Sequence, residues 1–151
     1  MYQIVLFDLD GTLTDSGLGI TNAVAYALEK FGIHEEDHSK LNVFVGPPLK
    51  DSFTRYYGLS SEDCERGIAY YREYYQDKGL FENEVYPGIP GLLKYLKETE
   101  RKVILATSKP EFFTRQIMEH FQLDQYFDLI AGASMDEKRV EKADVIRYAL
   151  E

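Results

Sequence analysis

Asp8 and Asp10 stand either side of Leu9, directly after the apolar run Ile4-Val5-Leu6-Phe7. Side chains two residues apart on an extended chain project to the same side. Two carboxylates so placed repel each other unless a cation or a proton intervenes. Four consecutive large apolar residues read as a strand buried on both faces, and Gly11 then turns the chain. The two acids are therefore expected at the carboxyl end of a central strand, where open α/β sheets bind their ligands. An acid pair there can supply a nucleophile and an acid–base group, with a divalent cation as compensator. An Asp-Gly surface turn does not explain the buried strand that leads into it.

The elements that must position these acids follow from periodicity. An amphipathic helix is expected over 18–31, ended by Gly32. After a charged loop, Gly46-Pro47-Pro48-Leu49 breaks the chain, and Pro48 suits the first position of a helix over 48–57. Ser60 or Ser61 can cap a helix running to about residue 78, with Glu62 and Asp63 at its positive end. A loop at Val85-Tyr86-Pro87-Gly88 precedes a helix over 90–99. Val103-Ile104-Leu105-Ala106 is a second buried strand, ending in Thr107-Ser108-Lys109-Pro110, and Pro110 is expected to open a helix to about 121. A third strand over 127–131 and a helix over 143–151 complete the pattern. Strands separated by helices imply a parallel sheet with right-handed crossovers. The fold class is thus α/β, a Rossmann-like core of three strands. The block 16–86 carries no strand signal, so the expected division is a core of 1–15 and 87–151 and a helical insertion of 16–86.

The string FDLDGTLTDS resembles the first motif of the haloacid dehalogenase-like phosphohydrolases, in their phosphoglycolate phosphatase-like branch. Asp10 separates the branches, since the dehalogenases do not carry Asp at that position. The resemblance implies that 16–86 is a helical cap inserted after the first motif, with substrate bound between cap and core. It implies that Asp8 is the nucleophile, forming an aspartyl-phosphate, and that Asp10 is the general acid and then the general base. It implies Mg²⁺ held by the Asp8 side chain and the Asp10 carbonyl, with amides of Gly11 and Thr12 facing the phosphate. Thr107, with Ser108 beside it, matches the second motif, a hydroxyl residue whose following amides at a helix start bind phosphate. Lys142 best matches the third motif, a lysine opening a helix after the third strand; Lys138 and Arg139 compete for that role. Lys109 is expected to face solvent. The loop Gly46-Pro47-Pro48-Leu49 resembles the family's specificity loop on the cap.

The family's fourth motif, an acidic loop after a further strand, does not occur within these residues, so the resemblance implies a core incomplete at its C-terminal side. The first strand would then be an exposed edge, prone to self-association. Three functional readings stay open. One is a Mg²⁺-dependent phosphatase acting on a small phosphomonoester, such as phosphoglycolate or a nucleoside 5′-monophosphate. Another is a fragment or pseudoenzyme without turnover, and the last a phosphomutase of the same superfamily.

The 151 residues carry a formal charge of −9, which argues against nonspecific binding to nucleic acid or an anionic membrane. The one cysteine, Cys64, excludes an intrachain disulfide and fits a reducing, cytoplasmic setting; it is expected to be inert. His34, His38 and His120 have no metal-ligand spacing. The tyrosines at 70, 71, 74 and 75 stand at i,i+4 and are expected to pack the helical block.

Overall fold

A computed structural model describes residues 2–136 and 138–151; Met1 and Glu137, which the expected core boundaries include, lie outside the described residues. The chain divides into two compact units, Met1–Asp15 with Glu84–Glu151, and Ser16–Asn83. The second boundary falls three residues before the expected one. The reason is a strand pair that the sequence reading lacks. β2 (Thr14–Asp15) pairs antiparallel with β3 (Glu84–Val85), Thr14 opposite Val85 and Asp15 opposite Glu84. The Tyr86 amide continues the pairing by donating to the Leu13 carbonyl at 3.1 Å. Strands of two residues show no alternation, so no periodicity marks them.

In the first unit, β1 (Ile4–Phe7), β4 (Lys102–Pro110) and β5 (Leu129–Ala133) form a parallel sheet in the order β1-β4-β5. The register sets Ile4 opposite Lys102 and Phe7 opposite Leu105, and Ala106 opposite Ala131. β4 is the central strand, and its residues Val103 to Thr107 are all buried, as a strand covered on both faces requires. β1 is the exposed edge that the sequence analysis also expected, and not a central strand buried on both faces. Its only strand partner among the described residues is β4, and Ile4 and Leu6 are 44% and 39% exposed. The run is apolar, but it is an edge, and its burial on both faces is not observed.

The helices of this unit are α4 (Ile89–Glu98), α5 (Glu111–His120), which connects β4 to β5, and α6 (Lys142–Leu150). α6 seats Val145 and Ala149 on Ile104, Ala106 and Ala131 of the sheet. The third strand begins two residues later than expected because Asp128 is used as a clamp. Its amide donates to the Val103 carbonyl and its carboxylate accepts from the Val103 amide, both at 2.8 Å. β4 also runs on to Pro110 through a register shift after Ala106, so α5 begins at Glu111 rather than at Pro110.

The second unit holds α1 (Gly17–Glu29), α2 (Leu49–Tyr57) and α3 (Ser61–Tyr75), with 3₁₀ turns at His38–Phe44 and Gly79–Phe81. Ser60 caps α3 by accepting from the Asp63 amide at 3.1 Å. Pro48 immediately precedes α2. Tyr71 stacks on Tyr75 at 5.2 Å, while Tyr70 packs edge-on against Phe31 and Tyr74 tilts over Tyr26. These contacts are the core packing expected of the tyrosines. Burial and the Glu35 carboxylate, 3.1 Å from its hydroxyl, push the Tyr57 phenol up to about 12. Cys64 is buried beside the Thr54 hydroxyl. No helix among the described residues is long and apolar enough to cross a membrane.

α1 meets the Gly79–Phe81 turn at glycine-to-glycine distance. A Cβ on Gly19 would lie 2.0 Å from the Gly79 carbonyl oxygen. Gly19→Ala is therefore expected to destabilise the protein by about 1–3 kcal/mol through overpacking, despite alanine's higher helix propensity. Gly91→Ala, in α4 with nothing within 4 Å of the new Cβ, is expected to be neutral or to stabilise by up to ~1 kcal/mol. Urea unfolding of the two variants checks the pair; equal midpoints would refute the close-approach reading.

Candidate active site

The chain leaves β1 at Phe7 and closes a tight turn. The Leu9 carbonyl accepts from the amides of Thr12, Leu13 and Thr14 at 3.1, 2.9 and 3.2 Å, and the Gly11 amide donates to the Thr14 carbonyl at 2.8 Å. Leu9 and Leu13 are fully buried and anchor the turn. Gly11 sits at φ 80, a left-handed conformation that side chains with a Cβ rarely adopt. This corrects the expectation that Gly11 and Thr12 leave amides facing an anion. Both amides are engaged within the turn, and the two residues shape it.

The turn delivers two carboxylates into different surroundings. Asp8 Oδ1 accepts from the Leu9 amide at 2.7 Å and lies 2.9 Å from Lys142 Nζ. Lys142 is the first residue of α6, and its ammonium also donates to the Ala106 carbonyl at 2.8 Å. The packing of α6 on the sheet thus places a cation against the exposed end of β1. Both side chains of this pair are about two-fifths exposed. Asp10 is buried instead, with Oδ2 3.3 Å from Lys109 Nζ; the two side chains are 8% and 5% exposed. The expectation that Lys109 faces solvent is overturned. Because β4 stays extended to Pro110, Lys109 shares the strand face of Thr107 and turns inward with it.

Thr107 is buried, and its hydroxyl accepts from the Lys109 amide at 3.1 Å. Ser108 between them is half-buried. The helix-start amides expected after Thr107 are not formed, since α5 begins four residues later and the Lys109 amide is already taken. The signal that could have found Lys109 was its i,i+2 spacing from Thr107, which has meaning only once the strand is known to continue.

The three candidate cations after β5 separate cleanly. Arg139 stacks over the Tyr148 ring at 3.7 Å and donates from Nε to the Gly132 carbonyl at 3.0 Å. Its guanidinium also approaches Glu111 at 4.0 Å. The Lys138 amide donates to the Asp136 carboxylate, which this bond and one from Ser134 hold below the usual carboxylate range. Of the three, Lys142 is the one drawn against Asp8. Arg139 instead ties down the loop that leads to it, where the Ser134 amide also donates to the Arg139 carbonyl. The loop Gly46-Pro47-Pro48-Leu49 belongs to the second unit, with Gly46 at φ 106 and Pro48 next to α2.

Among the described residues, no group of three or more His, Cys, Asp or Glu side chains gathers as a metal site. Asp8 offers a hard carboxylate oxygen donor, which suits Mg²⁺, an ion that keeps several waters and takes one or two carboxylates. The Asp10 carboxylate lies against Lys109. Asp8 is thus the side chain here whose chemistry fits Mg²⁺.

Comparison with known proteins places this arrangement. Residues 5–151 match the family model described as haloacid dehalogenase-like hydrolase, and the chain belongs to that family. It is 43% identical over 150 residues to a 5′-nucleotidase of Pseudomonas aeruginosa, covering 99% of this chain and 68% of that protein. It is 40% identical over 148 residues to tyrosine-protein kinase PtkA of Mycobacterium tuberculosis, covering 98% of this chain and 50% of that protein. Among solved structures, that of a predicted phosphatase from Clostridium acetobutylicum superposes with a TM-score of 0.97 at 56% identity, covering 99% of this chain and 69% of that one. The family and the α/β fold read from the first motif are borne out.

β5 holds the segment that carries Lys109 at close quarters. A Cβ on Gly132 would lie 2.7 Å from both the Lys109 carbonyl oxygen and the Glu111 Cα. Gly132→Ala is expected to cost about 1–3 kcal/mol and to shift the backbone of 109–111. Chemical-shift changes confined to the strand residues remote from this contact, with those of 107–111 unmoved, would refute it.

Proposed function

We propose that the chain carries the catalytic residues of a Mg²⁺-dependent phosphatase acting on a small phosphomonoester through an aspartyl-phosphate. One observation carries the reading: two aspartates of one short turn each meet a lysine from a distant part of the chain, Asp8 with Lys142 at 2.9 Å and Asp10 with Lys109 at 3.3 Å. A structural turn has little use for two acids each matched to a lysine from a distant segment, whereas phosphoryl transfer needs a nucleophile and an acid with their charges compensated. Membership of a hydrolase family with a 5′-nucleotidase among its relatives supports a phosphate ester as substrate, a nucleoside 5′-monophosphate among the first to test.

In this reading an oxygen of Asp8 bonds to phosphorus while the bond from phosphorus to the leaving oxygen breaks, and Asp10 gives its proton to that oxygen. Water then attacks the aspartyl-phosphate, its proton passes to Asp10, and the bond to Asp8 breaks to release inorganic phosphate. Lys142 balances the charge of Asp8 and draws the phosphate oxygens in. The Thr107 hydroxyl and Ser108 complete the phosphate contacts. Mg²⁺, held by Asp8 and the Asp10 carbonyl, supplies positive charge that offsets the repulsion between carboxylate and phosphate dianion. The second unit, with Gly46-Pro47-Pro48-Leu49, is the part we assign to substrate choice. The single free and buried cysteine supports a cytoplasmic setting.

In the full-length protein, Asp8→Asn is expected to lower turnover by a factor on the order of 10⁴ or more without changing the far-ultraviolet circular dichroism. Wild-type turnover should vanish on chelation and return with Mg²⁺. Phosphate release from a panel of phosphate esters checks both. Undiminished turnover by Asp8→Asn would refute the nucleophile, and transfer of the phosphoryl group to a sugar phosphate in place of water would make the protein a phosphomutase.

A further inference from the structure

Burial of the Lys109–Asp10 pair separates it from the Lys142–Asp8 pair. A carboxylate and an ammonium each less than one-tenth exposed pay a desolvation cost that their attraction often fails to recover. Such pairs serve geometry more readily than stability. Here the geometry is built from several sides. The Lys109 amide is held by the Thr107 hydroxyl, and its carbonyl lies against Gly132, where no Cβ would fit. Gly132 is fastened in turn by Arg139 through its carbonyl and by Glu111 through its amide. The stem of Lys109 therefore starts from a rigid base and ends on one oxygen of Asp10. Lys142 cannot substitute, because its ammonium is shared between Asp8 and the Ala106 carbonyl.

We propose that Lys109 is a positioning residue that fixes the rotamer of Asp10, so that the carboxyl presents its other oxygen to the departing or attacking oxygen at phosphorus. This deepens the phosphatase reading and rests on it. Lys109 acts through Asp10 and not on the phosphate, and the two roles leave different kinetic marks. A phosphate-binding lysine affects every ester and raises KM. A lysine that orients the acid–base group lowers kcat, and in the transfer to Asp8 it matters only for esters whose leaving group needs a proton.

The test uses the full-length protein and four forms: wild type, Asp10→Asn, Lys109→Met and the double variant. Each is assayed with a nucleoside 5′-monophosphate, whose alkoxide leaves only when protonated, and with p-nitrophenyl phosphate, whose phenolate leaves unaided. Lys109→Met is expected to lower kcat on the nucleotide by about 10- to 100-fold, part of the general-acid contribution. Its KM and its inhibition by inorganic phosphate should hold within about 3-fold, and the pre-steady-state burst of p-nitrophenolate, which reports transfer to Asp8 before water attacks, should form at near the wild-type rate. Added to Asp10→Asn, the same change should cost nothing more on the nucleotide.

Equal losses in the rate of transfer to Asp8 from both esters, a rise in KM alone, or an additive loss in the double variant would each overturn the proposal. Should Lys109→Met fail to fold with Asp10 left unpaired, the comparison of Asp10→Asn with the double variant decides it alone, since neither contains that unpaired carboxylate. Absence of turnover in the wild type, or turnover surviving Asp8→Asn, sinks the phosphatase reading itself and the proposal with it. A wild type that turns over, an inactive Asp8→Asn and an unaffected Lys109→Met would sink the proposal alone.

Discussion

Everything at the site follows from the need to hold two carboxylates close to each other in a folded protein. Asp8 and Asp10 come from one turn, so their charges cannot be separated by any choice of backbone that keeps the turn. The protein compensates them one at a time. Lys142 reaches Asp8 from the start of α6, and Lys109 reaches Asp10 from the end of β4. Each lysine is delivered by a different kind of element, and each requires that element to be seated on the sheet. The placing of α6 against β4 by apolar packing and the extension of β4 beyond Ala106 are thus what bring a lysine to each acid.

The two pairs differ in a way that matters chemically. The Asp8–Lys142 pair is partly open to solvent, so a ligand can reach its oxygens, and water screens the attraction enough for the partners to separate. The Asp10–Lys109 pair is enclosed, so its arrangement is stiff. In the reaction we propose, an exposed nucleophile beside a fixed acid–base group is a sensible distribution of mobility: the first would meet a substrate, and the second would hold its aim through two opposite proton transfers.

Small residues carry this arrangement as much as charged ones do. Gly11 permits the left-handed turn that follows the two acids. Gly132 lets β5 approach the peptide of Lys109, and Arg139 uses the carbonyl of Gly132 as an anchor for the loop leading to α6. Arg139 was a candidate for the role that Lys142 fills. Its planar guanidinium suits the ring of Tyr148 and a fixed carbonyl, whereas the flexible stem of Lys142 suits a reach between two strands.

Much was legible in the residue order. The apolar run into Asp8 and Asp10, the buried run into Thr107 and the helix beginning at Lys142 are local patterns, and local patterns survive into the fold because backbone propensity and burial act on neighbours in sequence. The family, the α/β class and the pairing candidates for Asp8 follow from them. What residues 2–136 and 138–151 decide only in three dimensions is different in kind. The pairing of β2 with β3, the engagement of the Gly11 and Thr12 amides within their turn, and the inward course of Lys109 all depend on which segments lie side by side. Side-chain direction along a strand has a period of two, so one question, whether β4 ends at Ala106 or continues to Pro110, sends Lys109 to solvent or to Asp10. Hydrogen bonds between distant segments answer it, and no window of the sequence contains them.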